Sequence, residues 1–253
     1  MPSTTSASSK SFSVMAMRPE TLLEALGIEA SYGRVQVLWG VDLDVRDRET
    51  VVLLGANGAG KTTLLKTLLG LIANWHGAIR FAGEDVSGLR TDKRVRRGMV
   101  YMSETAVFPG MTIEENIRIG GQFLAKSALK SRTAELFAIF PALAEKRRAL
   151  ASSLSGGQRK MLGIAKALAG EPRLLIMDEP SAGLSPLFVK EVLRVLAQFR
   201  ERGLTLLIAE QNVKFLELAD RVYTLDGGRI GFSGSVAAMH ENDALRKAYF
   251  GLK

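Results

Sequence analysis

Three short stretches bring together residue types that can do chemistry. Gly55–Thr62 reads GANGAGKT, and Thr63 follows it. Glycines at 55, 58 and 60 let the backbone curl until successive N–H groups point inward at a polyphosphate. A helix starting near Gly60 would add the positive end of its dipole. Lys61 can reach the β- and γ-phosphates, and the Thr62 hydroxyl can ligate Mg2+. The candidate nucleotide-binding residues are therefore Gly55, Ala56, Asn57, Gly58, Ala59, Gly60, Lys61, Thr62 and Thr63.

The second stretch, Leu174–Pro180, reads LLIMDEP: four apolar residues of a buried strand, then two carboxylates where it emerges. In an open parallel sheet, ligands lie at the carboxyl ends of strands, which places Asp178 and Glu179 beside the phosphates. Asp178 would hold Mg2+, and Glu179 would accept a proton from the attacking water or orient it. The third stretch, Leu154–Gln158, reads LSGGQ and precedes a helix expected over 159–169. Ser155 and the amides of Gly156 and Gly157 would form another anion-binding nest at a helix N-terminus. One chain thus carries two phosphate-seeking loops, an arrangement that makes sense if each nucleotide lies between two subunits.

The elements that must position these residues follow from the apolar pattern. Thr50–Leu54 (TVVLL), Arg173–Met177 (RLLIM) and Thr205–Ala209 (TLLIA) read as buried strands of similar length. Leucines at 64, 65, 68, 69 and 71 put a helix over 62–71. Residues 105–170 are mainly helical in pattern and read as a lobe inserted into the sheet domain. Gly77–Ala82 and Gly228–Phe232, short and flanked by glycine, read as antiparallel or edge strands. Strands alternating with longer helical patterns predict an α/β protein with a mostly parallel sheet. Residues 1–20, rich in Ser and Thr, read as a flexible tail, with one domain over 21–253.

Composition narrows the chemistry. The chain has 253 residues, the upper range for one hydrophobic core, and its 47% apolar and 24% charged content is that of a globular protein. No cysteine is present, which excludes disulfides, cysteine metal sites and thiol catalysis. With only two histidines, a multi-histidine metal centre is excluded as well. The apolar runs are four to six residues, against about 20 for a membrane-spanning helix. A cytoplasmic location is expected. The net charge of +8 is a modest excess. Its densest cluster, Lys93, Arg94, Arg96 and Arg97, reads as a solvated helix face or a patch near anionic headgroups.

GANGAGKT, LSGGQ and LLIMDEP in this order resemble the nucleotide-binding subunit of ATP-binding cassette transporters, over roughly residues 21–253. The resemblance implies a P-loop NTPase core with an inserted helical subdomain and an antiparallel β portion, using ATP and Mg2+. It implies a head-to-tail dimer, with itself or a sibling ATPase, in which Leu154, Ser155, Gly156, Gly157 and Gln158 close over the ATP of the partner subunit. Tyr32 falls where the family stacks an aromatic on adenine. YGRVQVLWGVDLDV, VFPGMTIEEN, DEPSAGLSP and AEQNVKFLELADRVY are most similar to the second, F-type ATPase subunit of branched-chain amino acid transporters. Several of these strings are shared with ATPases for urea, amides and lipopolysaccharide.

Two positions depart from the wider family. Glu104 stands where a glutamine usually touches Mg2+ and the attacking water, so it becomes a candidate metal ligand that adds negative charge. At about 4 Å, a charge pair is worth roughly 4 kcal/mol at an effective dielectric of 20, so this exchange is not expected to be silent. Gln211 stands where many cassettes place a γ-phosphate-contacting histidine, as in the F-type subunits. A working site over Lys61, Glu179 and Gln211 is expected; a weakly hydrolysing regulatory half of a heterodimer is the alternative. The resemblance also implies two transmembrane permease subunits, a separate solute-binding protein, and attachment to the inner face of the membrane through the permeases. Residues 105–122, with apolar Phe108, Pro109 and Met111 in a loop, are the candidate permease-docking segment. A nucleic-acid clamp would need a long coiled coil between Thr62 and Leu154, and no heptad run is present there, so no nucleic-acid partner is expected.

Overall fold

The computed structural model describes residues 20–73, 75–104 and 106–251. The tail read over 1–20 and Thr105 of the candidate docking segment therefore fall outside the described residues, Glu20 excepted. Among the described residues, ten strands and nine α-helices follow in chain order. The strands are β1 (Thr21–Tyr32), β2 (Val35–Arg46), β3 (Thr50–Leu54), β4 (Trp75–Phe81), β5 (Glu84–Asp85), β6 (Met99–Met102), β7 (Leu174–Asp178), β8 (Thr205–Glu210), β9 (Arg221–Asp226) and β10 (Arg229–Gly234). The helices are α1 (Lys61–Leu68), α2 (Thr91–Arg96), α3 (Ile113–Gly120), α4 (Lys126–Ile139), α5 (Pro141–Ala144), α6 (Gly156–Ala169), α7 (Pro186–Glu201), α8 (Val236–Glu241) and α9 (Asp243–Phe250).

The central sheet has the order β10-β9-β3-β8-β7-β6. Every pairing in it is parallel except that of β10 on β9. Strands β3, β7 and β8 are buried along their whole length, as their unbroken apolar runs require when both faces of a parallel sheet are covered. Alternate residues feed opposite cores. Val52, Leu175, Met177, Leu206 and Ile208 pack with α6 and α7 on one face. Val51, Leu53, Leu174, Ile176 and Leu207 pack with α1 and a four-stranded antiparallel sheet, order β2-β1-β4-β5, on the other. The strand expected over 77–82 is β4, antiparallel to both its neighbours, and the one expected over 228–232 is β10, antiparallel to β9 at the edge of the central sheet; both fit the expected antiparallel or edge strands.

Two sequence expectations need correction. The helix after the phosphate loop stops at Leu68 rather than 71, because the Leu69 cap leads into Gly70 at φ +72°. The basic cluster is not one solvent face. Arg94 is 1% exposed, and its guanidinium donates to the carbonyls of Leu68 (2.6 Å), Ser87 (2.8 Å), Leu89 (3.0 Å) and Thr67 (3.2 Å). These include the Leu68 carbonyl, left open at the C-terminus of α1, and that of Thr67, which also accepts from the Gly70 N–H at 2.9 Å. The planar fork of arginine suits such multiple acceptors, so the cation closes the end of the phosphate-loop helix. Among its neighbours, Arg97 pairs with Glu84 at 3.0 Å and Arg96 lies over the Phe123 ring at 4.1 Å.

Helices α3 to α6 occupy 113–169 between β6 and β7. Thr112 and Glu115 form a reciprocal cap on α3. Buried Asn116 binds both the N–H and the carbonyl of Phe108, at 2.8 and 3.0 Å. This pins the Phe108–Met111 loop and leaves Phe108 46% exposed.

Truncating Arg94 would strand several buried carbonyls, each unsatisfied group costing about 1–3 kcal/mol. Arg94→Ala is therefore expected to destabilise the fold by roughly 3 kcal/mol in denaturant titration. A change below about 0.5 kcal/mol, the scatter of ordinary surface substitutions, would contradict this role.

Candidate functional site

The carboxyl ends of four adjacent parallel strands, β3, β8, β7 and β6, open on one side of the central sheet. Their exits are Gly55, Gln211, Glu179 and Ser103–Glu104. Because β8 lies between β3 and β7, Gln211 emerges between the phosphate loop and the acidic pair. Residues far apart in sequence thus converge, as expected for the ligand crevice of an open α/β sheet.

The phosphate loop owes its shape to glycine at two points. A Cβ on Gly55 would stand 2.5 Å from the Leu225 carbonyl oxygen, so the loop can pass there only without one. Gly60 caps α1 at φ +106°, a conformation that other residues rarely adopt. Lys61 follows and is only 4% exposed. Its Nζ donates to the carbonyls of Gly55 (2.8 Å) and Ala56 (3.1 Å) and lies 3.2 Å from Glu179 Oε1.

The acidic pair is held from several sides. Thr62 Oγ1 donates to Asp178 Oδ1 at 3.1 Å, and Tyr101 OH to Oδ2 at 2.9 Å. Burial and the adjacent Asp178 anion push the Tyr101 phenol well above its usual range, so it stays a donor. Glu179 has φ +46°, uncommon for a residue with a side chain, and stands directly before Pro180. Such a conformation costs on the order of 1–3 kcal/mol and persists only where the surroundings enforce it. The Glu179 N–H donates to Ala209 O (2.9 Å), and the carbonyl accepts from Lys160 Nζ (3.1 Å). One carboxylate oxygen accepts from Gln211 Nε2 (3.2 Å), which also donates to Asn57 Oδ1 (2.8 Å).

A cleft of about 440 Å3 is lined by Asn57, Gly58, Gly60, Lys61, Thr62, Thr63, Glu104, Asp178 and Glu179, with Val37 from β2. It contains most of the sequence-predicted residues. Tyr32 is 49% exposed at the end of β1 and is not among the lining groups. Nor is the Leu154–Gln158 loop, which opens α6 instead. There Ser155 and Gln158 cap each other's backbone N–H groups. Gly157 packs beneath Phe188, where a Cβ would come to 2.5 Å, while Gly156 faces open space. Among the described residues, no three His, Cys, Asp or Glu side chains converge as a metal site. Thr62 Oγ1 and Asp178 Oδ1 are oxygen donors of the kind Mg2+ takes from a protein when phosphate supplies the remainder.

Sequence reasoning missed Tyr101, Lys160 and Glu210. Glu210 is buried and accepts from the N–H groups of Ser181 (2.7 Å), Gln211 (3.0 Å) and Asn212 (3.1 Å), so it fixes both loops beside the acidic pair. Its signal was a carboxylate ending an otherwise apolar strand. For Tyr101 it was a hydroxyl on the strand beside β7, paired with Ile176 two residues before Asp178.

A glycine loop over a helix N-terminus, a buried lysine and a strand-end carboxylate pair define a P-loop nucleoside triphosphatase. The particular kind follows from comparison. Residues 38–182 match the family described as ABC transporter. The high-affinity branched-chain amino acid transport ATP-binding protein BraG of Pseudomonas aeruginosa is 39% identical, over 88% of this chain and 97% of its own. The probable branched-chain amino acid transport ATP-binding protein LivF of Archaeoglobus fulgidus is 34% identical, over 91% and 99%. The lipopolysaccharide export system ATP-binding protein LptB of Haemophilus influenzae is 33% identical, over 91% and 98%. A solved ATP-binding cassette of an ABC transporter in its ADP conformation superposes with a TM-score of 0.78 and 25% identity, covering 92% of this chain and 99% of that one. The chain belongs to the ABC transporter family, as an ATP-binding cassette that couples ATP hydrolysis to transport.

Lys61 and Glu179 neutralise one another in the cleft, so nucleotide phosphates must displace a carboxylate from the lysine. Partly exposed pairs of this kind are worth about 0.2–1 kcal/mol, so Glu179→Gln should bind ATP roughly threefold more tightly than wild type. Titration with a fluorescent ATP analogue measures this. An unchanged or weakened affinity would mean that Glu179 does not restrain Lys61.

Proposed function

We propose that the chain is the ATP-hydrolysing subunit of an importer for branched-chain or related amino acids. It works as a dimer, with itself or a sibling ATPase, beneath two membrane permease subunits that receive solute from a separate binding protein. The observation that carries the reading is the convergence of Lys61, Thr62, Asp178 and Glu179 on one cleft, with Gln211 bonded to Glu179 beside it, in a chain matched over 88% and 91% of its length by branched-chain amino acid ATPases. No described helix is long and apolar enough to cross a membrane, which fits an energising subunit that reaches the inner face through its permeases. The exposed Phe108 loop, pinned by Asn116, supplies a firm apolar surface for that contact.

In this reading the loop amides from Gly55 to Thr62 and the Lys61 ammonium hold the phosphates, and Tyr32 stacks on adenine. Thr62 and Asp178 would hold Mg2+, with Glu104 beside them, and the cation would supply positive charge against that developing on the phosphoryl oxygens. Tyr101 fixes one Asp178 oxygen and leaves the other facing Thr62. Glu179 accepts a proton as water attacks the γ-phosphorus and the bond to the β–γ bridging oxygen breaks, releasing ADP and phosphate. Gln211, already bridging Asn57 and Glu179, contacts the γ-phosphate as an uncharged donor, so this contact does not titrate near neutral pH. The Leu154–Gln158 loop, absent from its own chain's cleft and presenting open Gly156, closes over the partner subunit's ATP.

A second reading, the ATPase of a lipopolysaccharide exporter, is favoured by the similarity to LptB. The regulatory-half alternative is disfavoured because Lys61, Asp178 and Glu179 are all in place. Two assays separate these readings. In the assembled transporter, Glu179→Gln should lower Mg2+-dependent ATP turnover by roughly 10²-fold or more, as loss of a general base does. Cells carrying this variant in place of the wild-type chain should lose uptake of radiolabelled leucine. Retained leucine uptake would overturn the importer reading, and unimpaired turnover would remove Glu179 from its role.

A further inference from the structure

Among the described residues two lysines are buried, Lys61 and Lys160. Lys61 belongs to the phosphate loop. Lys160 sits one turn into α6, four residues after Gly156, and is 8% exposed. Its Nζ donates to the main-chain carbonyl of Glu179 at 3.1 Å, on the peptide that follows the left-handed backbone of that residue. A buried ammonium is costly unless its surroundings supply negative charge. Burial draws the Lys160 pKa below the usual lysine range, and the carboxylates of Glu104, Glu210, Glu179 and Asp178 oppose that effect. Glu104, Gly156 and Lys160 also line a common cavity of about 500 Å3 beside the cleft.

We propose that Lys160 is a positioning residue for hydrolysis, tying the helix that carries the Leu154–Gln158 loop to the backbone of Glu179 and balancing the carboxylate at position 104. The proposal rests on Glu179 acting as the base. It links the backbone that carries that carboxylate to the part of the chain that meets the partner subunit's nucleotide. An anion docking on Ser155 and Gly156 pulls on the first turn of α6, and Lys160 transmits the displacement to the peptide after Glu179. It also explains how a negative charge at Glu104 is tolerated beside the phosphates.

Lys160→Met keeps most of the side-chain length and removes both charge and donor. In the chain co-purified with its permeases, this variant is expected to lose about tenfold or more in kcat while KM for ATP moves less than about twofold, the split of an interaction made in the transition state. Lys160→Arg, which retains a charged donor, should keep at least about a third of the wild-type kcat. Adding Glu104→Gln to Lys160→Met should recover part of the lost rate, a coupling that a merely structural lysine would not show. Full kcat in Lys160→Met, with Glu179→Gln inactive in the same assay, overturns the proposal and leaves the base assignment standing. An active Glu179→Gln overturns the base assignment and the proposal with it. Should Lys160→Met fail to fold by circular dichroism, Lys160→Gln and Lys160→Arg carry the test. Loss in Gln with retention in Arg supports the proposal, and equal rates overturn it.

Discussion

The left-handed backbone at Glu179 is the constraint around which the site is built. A carboxylate one residue past a buried strand would ordinarily continue in the strand direction. Here φ is +46° in front of Pro180, and the side chain turns back toward the phosphate loop. Hydrogen bonds from Lys160 and Gln211, one to Ala209 and the Lys61 ion pair enforce the turn. They come from α6, from β8 and the residue after it, and from α1, so the placement of this one residue reports on three elements of the fold. Strain held in this way is common where a reacting group must be presented at a fixed angle.

Electrostatics follow from the same geometry. Four carboxylates, Glu104, Asp178, Glu179 and Glu210, crowd the strand ends with two buried lysines between them. Glu210 is satisfied by three backbone N–H groups, so its charge organises loops. Asp178 is shared by Thr62 and Tyr101. Lys61 and Glu179 hold each other across the cleft that nucleotide phosphates must enter. In the proposed mechanism, phosphate binding and the release of Glu179 toward water are two sides of one exchange.

The legible part of this structure was the part written in local sequence. The runs TVVLL, LLIM and TLLIA are continuous because parallel strands are covered on both faces, and each lies where expected. The phosphate loop and the acidic pair were readable because their chemistry demands particular residues at short spacing. Strand order was not readable, and with it the fact that Gln211 emerges between the two motifs. Tyr101, Lys160 and Glu210 act through contacts made only once β6, α6 and β8 are side by side. Arg94 shows the same limit in reverse: four basic residues in five looked like a surface, yet the helical turn points one of them inward to the open Leu68 carbonyl at the end of α1. Charge density along a sequence does not reveal which side chain has backbone acceptors waiting.

A high-resolution structure of the chain with Mg2+ and a non-hydrolysable ATP analogue, in the assembled dimer, tests the central exchange most directly. The account predicts that Lys61 Nζ leaves Glu179 for oxygens of the β- and γ-phosphates. The freed carboxylate should then lie within hydrogen-bonding distance of a water in line with the γ-phosphorus, with its backbone still left-handed. A nucleotide-bound structure in which the Lys61–Glu179 pair persists, or in which Glu179 relaxes to an extended backbone away from that water, would contradict it.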